Sequence, residues 1–160
     1  MTVVANLLAF AREMRERTDP FPPMVTWQPV EANGGGPFLI VIDGSTGDTA
    51  TDLGEAFAHM RDLAGPPEWV AVTLDSYARE HDPSTDPSTL AAAFKGGDMS
   101  VMEQMVVIVK HVGDDIRMIR QVYRHTPVDG WEWDREEYLD DSLRSGDPVL
   151  DAVLKCPTSG

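Results

Sequence analysis

The stretch MVVIVKHVGDDIRMIRQVYRH, residues 105–125, decides the fold class. Met105 to Val112 is an apolar run rich in β-branched residues, Gly113-Asp114-Asp115 supplies a turn, and Ile116 to His125 returns. This pattern is a β-hairpin, which makes the strands antiparallel neighbours with no crossover helix between them. On its C-terminal side, residues 126–134 add a brief strand carrying Trp131 and Trp133. On its N-terminal side, Glu68 to Tyr77 alternates Val70, Val72 and Leu74 with Trp69, Ala71 and Thr73, the period of a further strand. Between them, REHDPSTDPSTL (79–90) holds two Asp-Pro pairs and reads as a loop, followed by a short helical turn over 89–94 and a break at KGGD (95–98).

Farther toward the N-terminus, Leu53, Ala56, Phe57, Met60, Leu63 and Ala64 recur at helical spacing from Asp52 onward, and Gly65-Pro66-Pro67 ends that helix. Phe38 to Ile42 is short and wholly apolar, which suits a central strand. MVTWQPV (24–30) is a second strand, with Pro29 placing its end at an edge or exit, and EANGGGP (31–37) is a loop. Residues 3–17 present Val3, Leu7, Phe10 and Met14 as a helical stripe, stopped before Pro20, Pro22 and Pro23. The acidic remainder, 135–154, reads as helix in two pieces broken at 145–148. The order is α-β-β-α-β-β-β-α. It predicts one α+β domain whose antiparallel sheet of five or six strands is flanked by helices. Residues 1–134 form the core, and 135–160 are an acidic helical segment packed on it or partly mobile.

This element order resembles profilin-like and roadblock-type folds, and such a resemblance implies architecture alone. A second resemblance rests on Phe94, Gly97, Asp98, Val101, Glu103, Tyr123, Arg124 and Thr126, preceded by the strand WVAVTLDSYARE (69–80). These residues resemble a pattern in uncharacterised small proteins of actinobacteria and their bacteriophages. The resemblance implies such a source and carries no catalytic residues.

Composition narrows the function. Lys and Arg number 13 against 27 Asp and Glu, a formal net charge of −14. A field of that sign repels phosphate backbones, so direct nucleic-acid binding is not expected. The basic residues Arg117, Arg120 and Arg124, with Lys110 near them in sequence, read as a solvated strand face. Cys156 is the single cysteine, so it has no disulfide partner within the chain and is an incidental thiol near the terminus. The N-terminal residues lack the positive start of a signal peptide, and no apolar run approaches 18 residues. A cytoplasmic location without membrane contact is the expectation.

FLIVIDGSTGDTATDLGEAF (38–57) tests for a ligand site, because a strand, a Gly-containing loop and a helix N-terminus can bind an anion. Asp43, Ser45, Thr46, Asp48 and Thr49 are its candidate residues. Yet no Lys or Arg lies between Arg17 and Arg61, and Asp43, Asp48, Asp52 and Glu55 crowd the loop with negative charge. A turn plus a helix cap, with Thr49-Ala50-Thr51-Asp52 as a capping box, explains the same residues. The four histidines do not cluster in sequence and there is no Cys-x-x-Cys or H-E-x-x-H, so neither a metal nor a cofactor is expected. Ser45 has no G-x-S-x-G context. Asp75, just after an apolar strand, is the one carboxylate whose position suggests a cleft.

Trp131 and Trp133 fall on one strand face, and such aromatics read first as core packing; the alternative is that, with Tyr123, Arg117 and Arg124, they form a partner surface. Met99, Met102, Met105 and Met118 read as core gap-fillers. The reading that follows is a non-enzymatic interaction or regulatory protein, docking a partner of unknown identity by a sheet edge or by its aromatic patch, or forming a homodimer. One alternative is an acidic mimic of nucleic acid that inhibits a DNA-binding or host-defence protein. The other is a binder of nucleotides or small anions at Asp43 to Thr51.

Overall fold

The computed structural model describes residues 3–18, 21–30, 37–42, 48–79, 87–111, 116–138 and 148–158. The elements in chain order are α1 (Val3–Arg17), β1 (Met24–Pro29), β2 (Phe38–Val41), α2 (Thr49–Ala64), β3 (Pro67–Arg79), α3 (Pro87–Lys95), β4 (Val101–His111), β5 (Ile116–Thr126), β6 (Gly130–Trp133), β7 (Glu137–Tyr138) and α4 (Pro148–Lys155). The sheet runs β2-β1-β3-β4-β5-β6, with β7 also paired to β5, and every pairing is antiparallel. The α+β class therefore stands, with seven strands instead of five or six.

The 105–125 hairpin forms as β4 and β5, and β3 lies along the other side of β4. These long apolar strands are the sheet's centre because their side chains are buried on both faces. Val106 and Ile108 join the core under α2 and α4, while Met105, Val107 and Val109 join the core under α1. The first core also contains Val25, Trp27, Leu53, Phe57, Val70, Val72, Leu150 and Val153, and Trp27 Nε1 donates to the Gly65 carbonyl at 3.2 Å.

Several local expectations are corrected. Phe38–Val41 is the edge strand of the sheet, not a central one, because β1 pairs with β3 on its far side. By the same token β1 is interior, and its Pro29 sits at a register shift where the strand leaves. The helix α2 starts at Thr49, not Asp52, because Asp48 is the N-cap: it accepts from Ala50 N at 3.1 Å and from the Thr51 hydroxyl at 2.7 Å. Gly65 ends it at φ 81°, where a side chain would be strained. The helical turn at 89–94 is a full helix, 87–95.

Glu137–Tyr138 is strand, not helix, held where Arg120 Nη2 meets Glu137 at 2.7 Å. Residues 139–147, part of the predicted acidic helical segment, lie outside the described residues. Met99 is 95% exposed and fills no core gap, whereas Met105 and Met118 are buried. Of the expected α1 stripe, Val3, Leu7 and Met14 pack partly buried against the core and Phe10 is exposed, while the centre of the buried face is Val4, Leu8, Ala11 and Arg15.

Candidate functional site

The register lines up five side chains on the α1 face. Asp75 pairs with Met105, Glu103 lies two residues from Met105 and pairs with Tyr123, and Tyr123 pairs with Trp133. Trp131 is two residues from Trp133, so it shares that face. The last turn of α1 places Arg15 above them, where a cation is also favoured by the carboxyl end of the helix.

Arg15 Nε donates to the Tyr123 hydroxyl at 2.8 Å and lies 3.3 Å from Asp75 Oδ2, while Nη2 lies 3.5 Å from Glu103 Oε2. The same hydroxyl is 2.7 Å from Asp75 Oδ1 and 2.6 Å from Glu103 Oε2. A phenol carries one hydrogen to donate. This single hydrogen therefore serves one carboxyl at a time or is shared between them. Asp75 is the acid whose affinity for a proton is raised. Burial pushes its carboxyl up to about 6, against the lowering effect of the Tyr123 hydrogen bond and Arg15 and with the help of Glu103.

Burial, the Asp75 charge and the hydrogen bonding with Glu103 and Asp75 push the Tyr123 phenol well above its usual range. It is a fixed donor at neutral pH, not a base or a nucleophile. Arg15 stays charged: burial opposes its charge, but the hydrogen bond to Tyr123 and the charges of Asp75 and Glu103 more than offset this. Protonation of Asp75, at about pH 6, removes one negative charge from this cluster.

The aromatic residues roof this cluster. Tyr123 lies 4.6 Å from Trp133 and 5.9 Å from Trp131, centroid to centroid, and His125 stacks on Trp131 at 4.0 Å. Arg15 sits over the Trp131 ring at 5.1 Å and Arg12 over the Trp133 ring at 5.1 Å. Trp133 Nε1 donates to Glu16 at 2.8 Å. The indoles thus face the chain's own arginines.

Of the predicted surface, Tyr123, Trp131 and Trp133 come together. Arg117 and Arg124 do not join them. Arg124 projects from the opposite face, near Glu132 at 3.9 Å and Asp134 at 4.0 Å, and Arg117 is exposed at the other end of β5, opposite Val109. Of the predicted loop site, Asp43, Ser45 and Thr46 lie outside the described residues. Asp48 is engaged in capping, where the Thr51 hydroxyl holds its carboxyl below the usual range, and Thr49 is the first residue of α2.

Of the basic residues expected on a solvated face, Arg117 and Arg124 are exposed, whereas Lys110 is buried and donates to the carbonyls of Leu154 and Cys156, both at 2.6 Å, and Arg120 is tied to Glu137. Cys156 is buried in the core beside α4, not free on a terminal segment, and burial raises its thiol. Arg15 escaped the sequence reading altogether. Its one signal is the spacing Val4, Leu8, Ala11, Arg15, a second helical face that ends on a cation.

The second feature is the edge itself. On β2, Phe38 is 45%, Leu39 49% and Val41 57% exposed. Phe38 and Ile40 pair with Trp27 and Val25, and so lie on the α2 side. Leu39 and Val41 lie on the other side, beyond the strands that α1 covers.

Comparison with models of known protein families, with curated proteins and with solved structures finds no match.

Proposed function

We propose that this is a non-enzymatic protein-interaction module that receives an extended segment of a partner along β2. The observation that carries the reading is a terminal strand with apolar side chains exposed on both of its faces. Such an edge offers a row of backbone donors and acceptors, and sheets normally blunt it with charge, proline or a covering element. Phe38–Val41 contains no charge and no proline. Strand addition would satisfy the backbone row and cover the half-exposed side chains together.

The carboxylate–tyrosine–arginine cluster supports a non-enzymatic role. Its phenol is a fixed donor, its guanidinium is engaged, and its two carboxyls are turned on the same hydroxyl. We assign it to fastening α1 to the sheet.

Affinity capture with wild-type protein and with Leu39→Lys tests the proposal, read together with hydrogen exchange. The expected result is a partner, or a second copy, that slows exchange of the 38–41 amides and is lost in the variant. A partner retained by Leu39→Lys with no protection of 38–41 would refute docking at this edge.

A further inference from the structure

The backbone of β2 sets the register of whatever docks there. Ile42 N donates to the Pro23 carbonyl at 2.8 Å, in line with the pairs Met24↔Val41 and Val25↔Ile40. Successive residues of an antiparallel strand turn their N–H and C=O alternately to one neighbour and to the other. Phe38, Ile40 and Ile42 therefore turn theirs toward β1. Leu39 and Val41 turn theirs outward, where the sheet ends among the described residues. Pro37, the next outward position, has no N–H to offer. The ladder on offer is thus confined to Leu39 and Val41, and so few backbone bonds give a docked segment little hold by themselves.

Charge is what remains to choose the partner. The sequence has no Lys or Arg between Arg17 and Arg61, and the connections on either side of β2 carry Glu31, Asp43 and Asp48. The whole chain has a net charge of −14. A second copy would bring the same acidic flanks, so pairing β2 with β2 gathers like charge. A segment flanked by Lys or Arg meets opposite charge instead, and the field of the whole chain draws it in.

Resting on the reading of β2 as a docking edge, we infer that its occupant belongs to a different protein: a short extended segment with apolar side chains at two alternating positions, flanked by Lys or Arg. The apolar pair lies opposite Leu39 and Val41 and covers them, because residues paired across neighbouring strands share a face.

The probe is a capped peptide, Lys-Arg-Val-Thr-Val-Thr-Lys-Arg, titrated against the full chain at low salt. One control carries Glu at every flanking position, and another carries Gly-Ser-Gly-Ser as its core. Amide hydrogen exchange, resolved by residue, gives the site. The expected result is slower exchange at Leu39 and Val41, with an affinity about tenfold or more above that of the Glu-flanked peptide. The Gly-Ser peptide should leave both amides unprotected, and added salt should narrow the gap between the basic and acidic flanks. Equal protection by either control overturns the inference and leaves β2 a docking edge. So does protection that rises with protein concentration, without peptide, as the chain dimerises. Exchange at Leu39 and Val41 that no peptide slows, in a chain that does not dimerise, overturns the inference and the reading of the edge together.

Discussion

The two faces of the sheet solve the same packing problem with different chemistry. Under α2 and α4 the core is apolar from Val25 to Val153, and its buried cation, Lys110, meets backbone carbonyls. Under α1 the apolar core ends at Met105 and Ile119 and gives way to Arg15, Asp75, Glu103 and Tyr123. Carbonyls do not titrate and carboxyls do. One face therefore meets its buried cation with groups that do not titrate and the other with groups that do, although both are closed by helices on the same strands.

Five substitutions would break or sharpen this contrast. The largest effect belongs to the apolar face: Trp27→Ala removes a fully buried indole and should cost about 3–5 kcal/mol in denaturant unfolding, at any pH from 4 to 8. Next come the two buried cations. Arg15→Met leaves two largely buried carboxyls without their cation and should cost about 3 kcal/mol near pH 7, with the loss shrinking as the pH falls and the carboxyls take up protons. Lys110→Met removes two charge-assisted bonds to carbonyls and should cost about 2 kcal/mol, with no such relief in acid. Equal pH dependence in the two variants would abolish the distinction between the faces.

The third test isolates Asp75. Its carboxyl holds a proton more tightly when folded, at about 6, than in an unfolded chain, at roughly 3.9. The folded state therefore binds more protons in this window, and the contribution of Asp75 to stability falls as pH rises from about 4 to about 6. Asp75→Asn should lose this segment of the pH profile, roughly 2–3 kcal/mol of difference between its ends. The smallest effect is expected at the edge: Leu39→Lys changes a half-exposed side chain and should alter stability by no more than about 0.5 kcal/mol while removing partner binding.

What could be read from the sequence was what is local. Alternating β-branched residues and a Gly-Asp turn specify the β4–β5 hairpin in one short stretch, and the 3.6-residue period with Gly65 specifies most of α2. Neighbours across the sheet leave no such trace. The apolar run at Phe38 looks the same whether strands lie on one side of it or both, which is why an edge was read as a centre. The same holds for the polar cluster: Arg15 and Tyr123 are 108 residues apart, so an arginine that reads as solvent-facing on its own helix is a buried partner in the fold. Asp75 stood out because an acid following an apolar run is uncomfortable unless something meets it, and the structure places it inside β3. Trp131 and Trp133 were recognisable as aromatic residues of one strand face, but not that Arg12 and Arg15 would lie over them and over Tyr123.

The raised Asp75 carboxyl beneath α1 is the point on which the contrast rests. The direct measurement is a carboxyl carbon-13 NMR titration of Asp75 in the intact protein. Burial of Asp75 against the Tyr123 hydroxyl predicts that Asp75 titrates with a midpoint near 6 and that Tyr123→Phe changes its titration. An Asp75 midpoint near 4, unchanged in Tyr123→Phe, would contradict it.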